Sequence, residues 1–139
     1  MKTIHKIAAM VIENDEFLMV RKVGKDIWTN LGGKPEGNET EKEALIREIK
    51  EELDCGAKVI RKLGDFEALA VFDADTTIKL STYLVKLIGE PKISDPELEE
   101  FKFIGENYRE ENINLPESIT KYIIPFLIKS NLLNWKKES

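Results

Sequence analysis

The chain has 139 residues, a formal net charge of −5, 42 % hydrophobic residues and 34 % charged residues. This size and balance predict one globular domain over 1–139, and an acidic chain without a basic run is a poor ligand for long nucleic acid. The single cysteine excludes an intramolecular disulfide. Because neither a leader-like segment nor an apolar run of membrane length is evident, we expect a cytoplasmic protein.

Strand-forming segments alternate with turn-like segments over most of the chain. Strands are predicted at His5–Ile12, Phe17–Val23, within Ala57–Asp73, at Thr77–Gly89 and at Phe101–Ile104. The first two are expected to form a hairpin, and a long loop follows over 24–39. A helix is predicted over 41–53, because Thr40 can serve as its N-cap and Glu43, three residues on, completes a capping box.

The last part of the chain predicts a second helix. This helix is expected to start at Pro116, since proline suits the first helical turn, and Pro125 is expected to kink it. Residues 131–139 are predicted to be a frayed tail. Several strands with only two substantial helices indicate a mixed β-sheet flanked by helices, in the α/β or α+β class.

Three glutamates of the first helix share one side. With Glu48 at zero on a helical wheel of about 100° per residue, Glu52 falls near +40° and Glu51 near −60°. The apolar residues Leu45, Ile49 and Leu53 recur every four positions and are expected to face the core. An acidic helical face of this kind is usually only solvated. The carboxylates alone therefore leave a solvated face and a metal site both open.

Fixed spacings around these glutamates are more specific. A glycine is followed after five residues by a glutamate, after seven more by Arg-Glu, then by an aliphatic residue, one further residue and Glu-Glu. The residues are Gly33, Glu39, Arg47, Glu48, Glu51 and Glu52. This pattern resembles the box of the Nudix hydrolases, G-x5-E-x7-R-E-U-x-E-E-x-G-U, where U is aliphatic. It departs at Asp54, where the family has glycine; aspartate tolerates the left-handed conformation, so we expect a similar helix end.

The resemblance implies an α/β/α sandwich, with a mixed sheet between helices, that hydrolyses a pyrophosphate bond in a nucleotide. It implies Mg²⁺ or Mn²⁺ as the cofactor, because hard cations prefer oxygen ligands and bridge carboxylates to phosphates. The implied ligands are Glu48, Glu51, Glu52 and a backbone carbonyl near Gly33. Glu51 is also a candidate general base, and Glu39 with Arg47 is the implied orienting pair.

Other candidate site residues lie outside the box. Family members often add a carboxylate from a distant loop, for which Glu97 is the first choice here and Asp95 the second. A solvated acidic turn is a competing interpretation of that loop, and the sequence leaves open whether the base comes from the loop or from the helix. The candidates for binding substrate are Lys34, Arg21, Lys22 and Phe72.

The favoured function is hydrolysis of a nucleoside triphosphate to a monophosphate and pyrophosphate by a metal-activated water. Family members that act on ADP-ribose often carry a proline soon after the box, and those for dinucleoside polyphosphates a tyrosine; residues 58–75 contain neither. The alternatives are hydrolysis of another linked nucleotide, such as a nucleotide sugar, a non-catalytic nucleotide sensor, and a helix that binds a partner. The expected partner is a small nucleotide, and a monomer and a homodimer are equally compatible with the sequence.

Overall fold

Mixed β-sheets and helices make up the computed structural model, which describes residues 2–70 and 73–136. The strands are β1 (Lys2–Met10), β2 (Ile12–Glu13), β3 (Glu16–Lys22), β4 (Trp28–Thr29), β5 (Leu31–Gly33), β6 (Gly56–Ala70), β7 (Asp73–Ile88) and β8 (Leu98–Ile104). The helices are α1 (Glu41–Leu53), a π-helical segment (Ser118–Ile123) and α2 (Ile124–Lys129). The predicted fold class is confirmed. Within the described residues, no helix has the length and apolar character needed to cross a membrane.

The strands divide between two sheets rather than one. The first sheet has the order β5-β1-β7-β6, in which β1 and β7 run parallel, and in the second β3 pairs with β2, β4 and β8. The predicted hairpin is therefore short: only Ile12 and Glu13 pair with β3, across a turn at Asn14 and Asp15. The sequence prediction extended the first strand of the hairpin back to His5. This extension was wrong because both edges of β1 are already hydrogen-bonded, to β5 and to β7.

Alternate residues of β1 enter two separate cores, which explains its continuous apolar run. Ala8 and Met10 pack in a core with residues of the π-helical segment and α2. Ile7 and Ala9 pack on the other side, in a core with the apolar face of α1. The first sheet thus lies between α1 and the C-terminal helices. Its strand β5 places Gly32 and Gly33, the glycine pair, beside α1.

The C-terminal part departs from the sequence prediction in two respects. The predicted kink is a change from π-helix to α-helix, and Pro125 occupies the first turn of α2, where its missing N–H is not needed. The tail over 131–136 is packed and not frayed. Leu133 and Trp135 are buried, and Trp135 Nε1 donates a hydrogen bond of 2.6 Å to the Asp15 carbonyl. Burial of the indole ring and the hydrogen bond from its N–H stabilise this segment enough to overcome the usual fraying of a chain end.

Candidate active site

Both ends of α1 have the predicted local structure. Thr40 caps the first turn by accepting from the Glu43 N–H at 3.1 Å, and the Glu43 carboxylate accepts from the Thr40 N–H at 2.9 Å. Asp54 ends the helix in the left-handed conformation, with φ of 51°. The capping box and the helix stop at the position of the missing glycine are therefore confirmed. They fix which glutamates face the glycine pair.

Glu52 is the most deeply buried carboxylate of the predicted site. Its side chain is 7 % exposed, and Oε1 accepts a hydrogen bond of 3.0 Å from the Gly32 N–H. Burial is the main reason why the pKa of Glu52 is raised to about 8. The charges of Glu48 and Asp95 raise this pKa further, while the Gly32 N–H and Lys22 oppose the shift. A carboxyl group with this environment is costly to ionise unless a cation comes close.

The two glycines of β5 are needed for different contacts. Gly32 has φ of 130°, and a side chain there would collide with the Ile7 carbonyl of β1. A Cβ on Gly33 would lie 2.6 Å from Glu48 Oε1, so a side chain there would displace the Glu48 carboxylate from its present position. Burial raises the pKa of Glu48, and Arg47 opposes that shift. The predicted ligand position at Gly33 thus lies directly against a predicted carboxylate ligand.

Arg47 joins the loop before α1 to the helix. Its guanidinium donates to both carboxylate oxygens of Glu39, from Nε at 2.7 Å and from Nη2 at 3.0 Å, and Nη2 also donates to the Lys34 carbonyl at 3.1 Å. Nη1 donates at 3.2 Å to Glu48 and to Glu51. The hydrogen bonds from Arg47 hold the pKa of Glu39 below its usual range. The orienting pair predicted from the spacing is present.

The three helix carboxylates are not assembled into one cluster. Glu51 is exposed and bonded to Arg47, and among residues 2–70 and 73–136 no three His, Cys, Asp or Glu side chains are grouped as a metal site. Like charges separate when only one arginine is available to offset them. Glu48 nevertheless lies close enough to Glu52 for its charge to raise the pKa of Glu52. The hard oxygen donors of these two carboxyl groups fit a divalent cation such as Mg²⁺.

The loop after β7 closes the C-terminal end of α1. Ser94 donates from its N–H to the Glu52 carbonyl at 3.0 Å and from its hydroxyl to the Glu51 carbonyl at 2.6 Å. This brings Asp95 close enough to raise the pKa of Glu52. Glu97 is exposed, and its N–H donates to Asp95 Oδ1 at 2.9 Å. The structure therefore favours the second sequence choice, Asp95, over Glu97 as the added carboxylate.

A cavity of about 290 Å³ opens next to Glu52, between the glycine strand and the C-terminal helical region. Its polar lining includes Lys6, Lys22, Thr29, Asn30, Asp73, Thr76 and Ser118, and its apolar lining includes Ile4, Ala68, Ile78, Leu80 and Pro116. Asn30 Oδ1 is buried and lacks a hydrogen-bond partner among the described residues. An unpartnered buried acceptor is unfavourable, and a ligand or water in the cavity can supply its donor.

The predicted substrate-binding residues have different outcomes. Lys22 lines the cavity and Lys34 is exposed at the start of the loop held by Arg47. Arg21 pairs with Glu100 at 3.3 Å and is not part of the cavity lining, so its part in substrate binding stays a prediction. Phe72 lies outside the described residues.

Two lining residues, Lys6 and Asn30, were missed by the sequence interpretation. Lys6 lies in a strand between His5 and Ile7, a position where lysine is usually read as a solvated side chain. Asn30 follows the short strand β4 and looks like an ordinary loop residue. The only sequence signal was the placement of a charged residue on the face of β1 that carries Ala8. What that face of the strand packs against could not be known without the fold.

The fold and the helix-and-loop site together define a class of protein. The chain matches the model of the NUDIX domain over residues 3–113, which is most of its length. It therefore belongs to the NUDIX family. The resemblance drawn from the box is confirmed, as is the prediction of an enzyme class, Nudix hydrolase, at the level of the family. No curated protein gives a significant sequence match.

Solved structures agree with this assignment. A UDP-X diphosphatase superposes with a TM-score of 0.78 at 25 % identity, over 95 % of this chain and 64 % of that one, so the chain spans less than two thirds of its length. A MutT protein from Methanosarcina mazei Go1 matches with a TM-score of 0.74 at 18 % identity, over 93 % and 96 % of the two chains. An ADP-ribose pyrophosphatase from Streptococcus suis matches with a TM-score of 0.71 at 15 % identity, over 95 % of each. The last two likenesses concern the fold alone.

Proposed function

We propose that this protein hydrolyses nucleoside triphosphates to nucleoside monophosphates and pyrophosphate, with Mg²⁺ or Mn²⁺ as the cofactor. The observation that carries this proposal is the buried carboxyl group of Glu52, with the partly buried Glu48 near it, at a cavity that is also lined by Lys6 and Lys22. Carboxylates that repel a polyphosphate attract the cation that accompanies it. The cavity volume of about 290 Å³ lies at the lower end of the range that is typical of small-molecule sites.

In this proposal Glu48, Glu52 and the Gly33 carbonyl hold the ion, and Glu51 and Asp95 are the neighbouring carboxylates. Such an ion supplies charge neutralisation of the phosphates and activation of a water molecule. Arg47 is a positioning residue that keeps the loop and the helix in register. Glu51 and Asp95 are the two candidate acceptors for the proton that the water loses. Glu51→Gln and Asp95→Asn distinguish them, because the variant that lacks the true acceptor loses turnover at saturating metal.

A second candidate is hydrolysis of a nucleotide sugar. It is favoured by the 25 % identity to a protein named UDP-X diphosphatase. The reaction is the same attack of water on a phosphoryl group, but the released fragment is a sugar phosphate instead of pyrophosphate. The two candidates are separated by the products formed from each substrate.

The test is a panel of nucleoside triphosphates, nucleotide sugars, ADP-ribose and dinucleoside polyphosphates, assayed with Mg²⁺ and with Mn²⁺. We expect pyrophosphate release from at least one triphosphate, with kcat reduced at least about 100-fold in Glu52→Gln, a larger loss than is typical of residues that only support a ligand. Glu99→Gln, an exposed carboxylate on β8, is the matched control and should retain full activity. Binding of a nucleotide by calorimetry without any turnover would instead indicate a sensor.

A further inference from the structure

We infer that Lys6 is a substrate-binding residue that holds the terminal phosphates of a nucleoside triphosphate together with Lys22 and Lys34. This inference rests on the proposed function and deepens it, because it selects triphosphates over nucleotide sugars. Lys6 belongs to β1, outside the Nudix box and outside the loop that follows β7.

The strands β1 and β3 and the residue after β5 bring these lysines together. In the antiparallel ladder of β1 and β5, Ile7 pairs with Gly33, the last residue of β5, and Lys34 follows it near enough for its charge to act on Lys6. Lys22 is the last residue of β3 and lines the same cavity as Lys6. Glu52 lies in that lining as well, so the cationic group adjoins the proposed metal ligands.

The charges at Lys6 are unfavourable in the empty protein. Its side chain is half-buried, and its pKa is lowered first by burial and then by the charges of Lys22 and Lys34. Among the described residues, no carboxylate forms an ion pair with Lys6 within 4.0 Å. A methionine would fill this position between apolar neighbours without that cost. An anion bound in the cavity removes the repulsion and supplies the missing partner.

The number of cations distinguishes the substrate classes. A triphosphate carries about four negative charges and can pair with the Lys6 ammonium group as well as with a divalent ion. A nucleotide sugar ends in a neutral sugar, which would cover this ammonium group without pairing it, at a cost in desolvation. Lys6 therefore favours a substrate whose chain ends in free phosphates.

The test compares Lys6→Met with Lys6→Arg, and Lys102→Met, an exposed lysine of β8, is the matched control. We expect Lys6→Met to raise KM for a triphosphate about tenfold, the size of one lost charged hydrogen bond, while kcat changes less than twofold. KM for a nucleotide sugar should change less, Lys6→Arg should restore most of the affinity, and Lys102→Met should behave as the wild type. An unchanged KM, or an equal increase for both substrates, overturns the inference even if the enzyme is active.

A binding measurement keeps this inference separate from the proposed function. If the wild-type protein turns over no nucleotide, calorimetry with inorganic tripolyphosphate and Mg²⁺ still tests Lys6. About tenfold weaker binding by Lys6→Met than by the wild type and Lys102→Met supports the cationic site. Equal binding by all three proteins, or binding by none of them, overturns it.

Discussion

Glutamates near the two ends of helix α1 have pKa values shifted in opposite directions. At its start, Tyr83 donates to Glu41 at 2.5 Å and His5 lies 3.1 Å from the same carboxylate. Burial opposes ionisation of Glu41, but these partners outweigh burial, and the pKa of Glu41 is lowered. Near the end of the helix, burial prevails and the pKa values of Glu48 and Glu52 are raised.

The difference indicates which end is built for stability and which for binding. A folded chain normally gives each buried carboxylate its partners, as it does for Glu41. The end with Glu48 and Glu52 is not balanced in this way: burial raises the pKa of both groups, and Arg47 offsets only part of the shift at Glu48. Such local disagreement with the rules of stability is expected at functional sites. The following predictions compare the two ends.

The largest expected effect is on catalysis by Arg47→Met. This change frees Glu39, Glu48 and Glu51 from their shared donor and releases the loop carrying Lys34, so we expect kcat to fall about 10- to 100-fold. Steady-state kinetics at saturating Mg²⁺ measures it. Arg61→Met, at an exposed position of β6, is the control and should leave kcat unchanged. Activity equal to the control would show that positioning by Arg47 is dispensable.

Replacing one carboxylate at each end should change stability in opposite directions. Without divalent metal, Glu52→Gln replaces a carboxyl group that burial makes costly to ionise and keeps an acceptor for Gly32, so the free energy of unfolding should rise by about 1 kcal/mol. Glu41→Gln weakens the hydrogen bond from Tyr83, so the same quantity should fall by about 1–2 kcal/mol. Urea denaturation of the two variants measures both. Changes of the same sign would contradict the comparison.

The pH dependence of stability should reveal the contribution of Glu41, at the start of helix α1. Because the pKa of Glu41 is lower in the folded state, its contribution is present above the unfolded value of about 4.3 and is lost as the pH falls through the folded value. The stability difference between the wild type and Glu41→Gln should therefore be largest near neutral pH and should shrink below about pH 4.3. Urea denaturation at a series of pH values checks this. A difference independent of pH would mean that the charge of Glu41 contributes nothing.

The smallest expected effect is at the helix stop. Asp54→Gly removes the strain of a left-handed aspartate but also its ion pair of 3.0 Å with Lys50. We expect a gain of about 0.5 kcal/mol, since glycine adopts this conformation freely and an exposed pair contributes little. Asp54→Ala loses the pair without relieving the strain and should be destabilising. Thermal unfolding of the two variants side by side distinguishes these effects.

Local sequence spacing predicted the parts of the site that lie within one helix and its preceding loop. The capping box at Thr40, the left-handed Asp54 and the pair of Glu39 with Arg47 depend on residues at most eight positions apart. Each such feature follows from helical geometry and short loops. These features could therefore be found without knowing any tertiary contact.

Contacts between distant segments could not be predicted in the same way. Asp95 was ranked below Glu97 because its distance from Glu52 depends on how Ser94 bonds to the end of α1. Glu51 shares a side of the helical wheel with Glu48, yet Arg47 holds it at the surface. Lys6 was missed because the face of β1 that carries it becomes a cavity wall only when two sheets and the C-terminal helices meet.

The packing of Trp135 also has a consequence for the order of events during synthesis. Its ring lies 5.7 Å from that of Phe17, and its N–H bonds to Asp15, 120 positions earlier in the chain. The turn of β2 and β3 is synthesised 120 positions before Trp135, so the side of Phe17 that this ring covers stays without it until synthesis has passed Trp135. A nascent chain at that stage presents apolar surface there to chaperones and to other nascent chains.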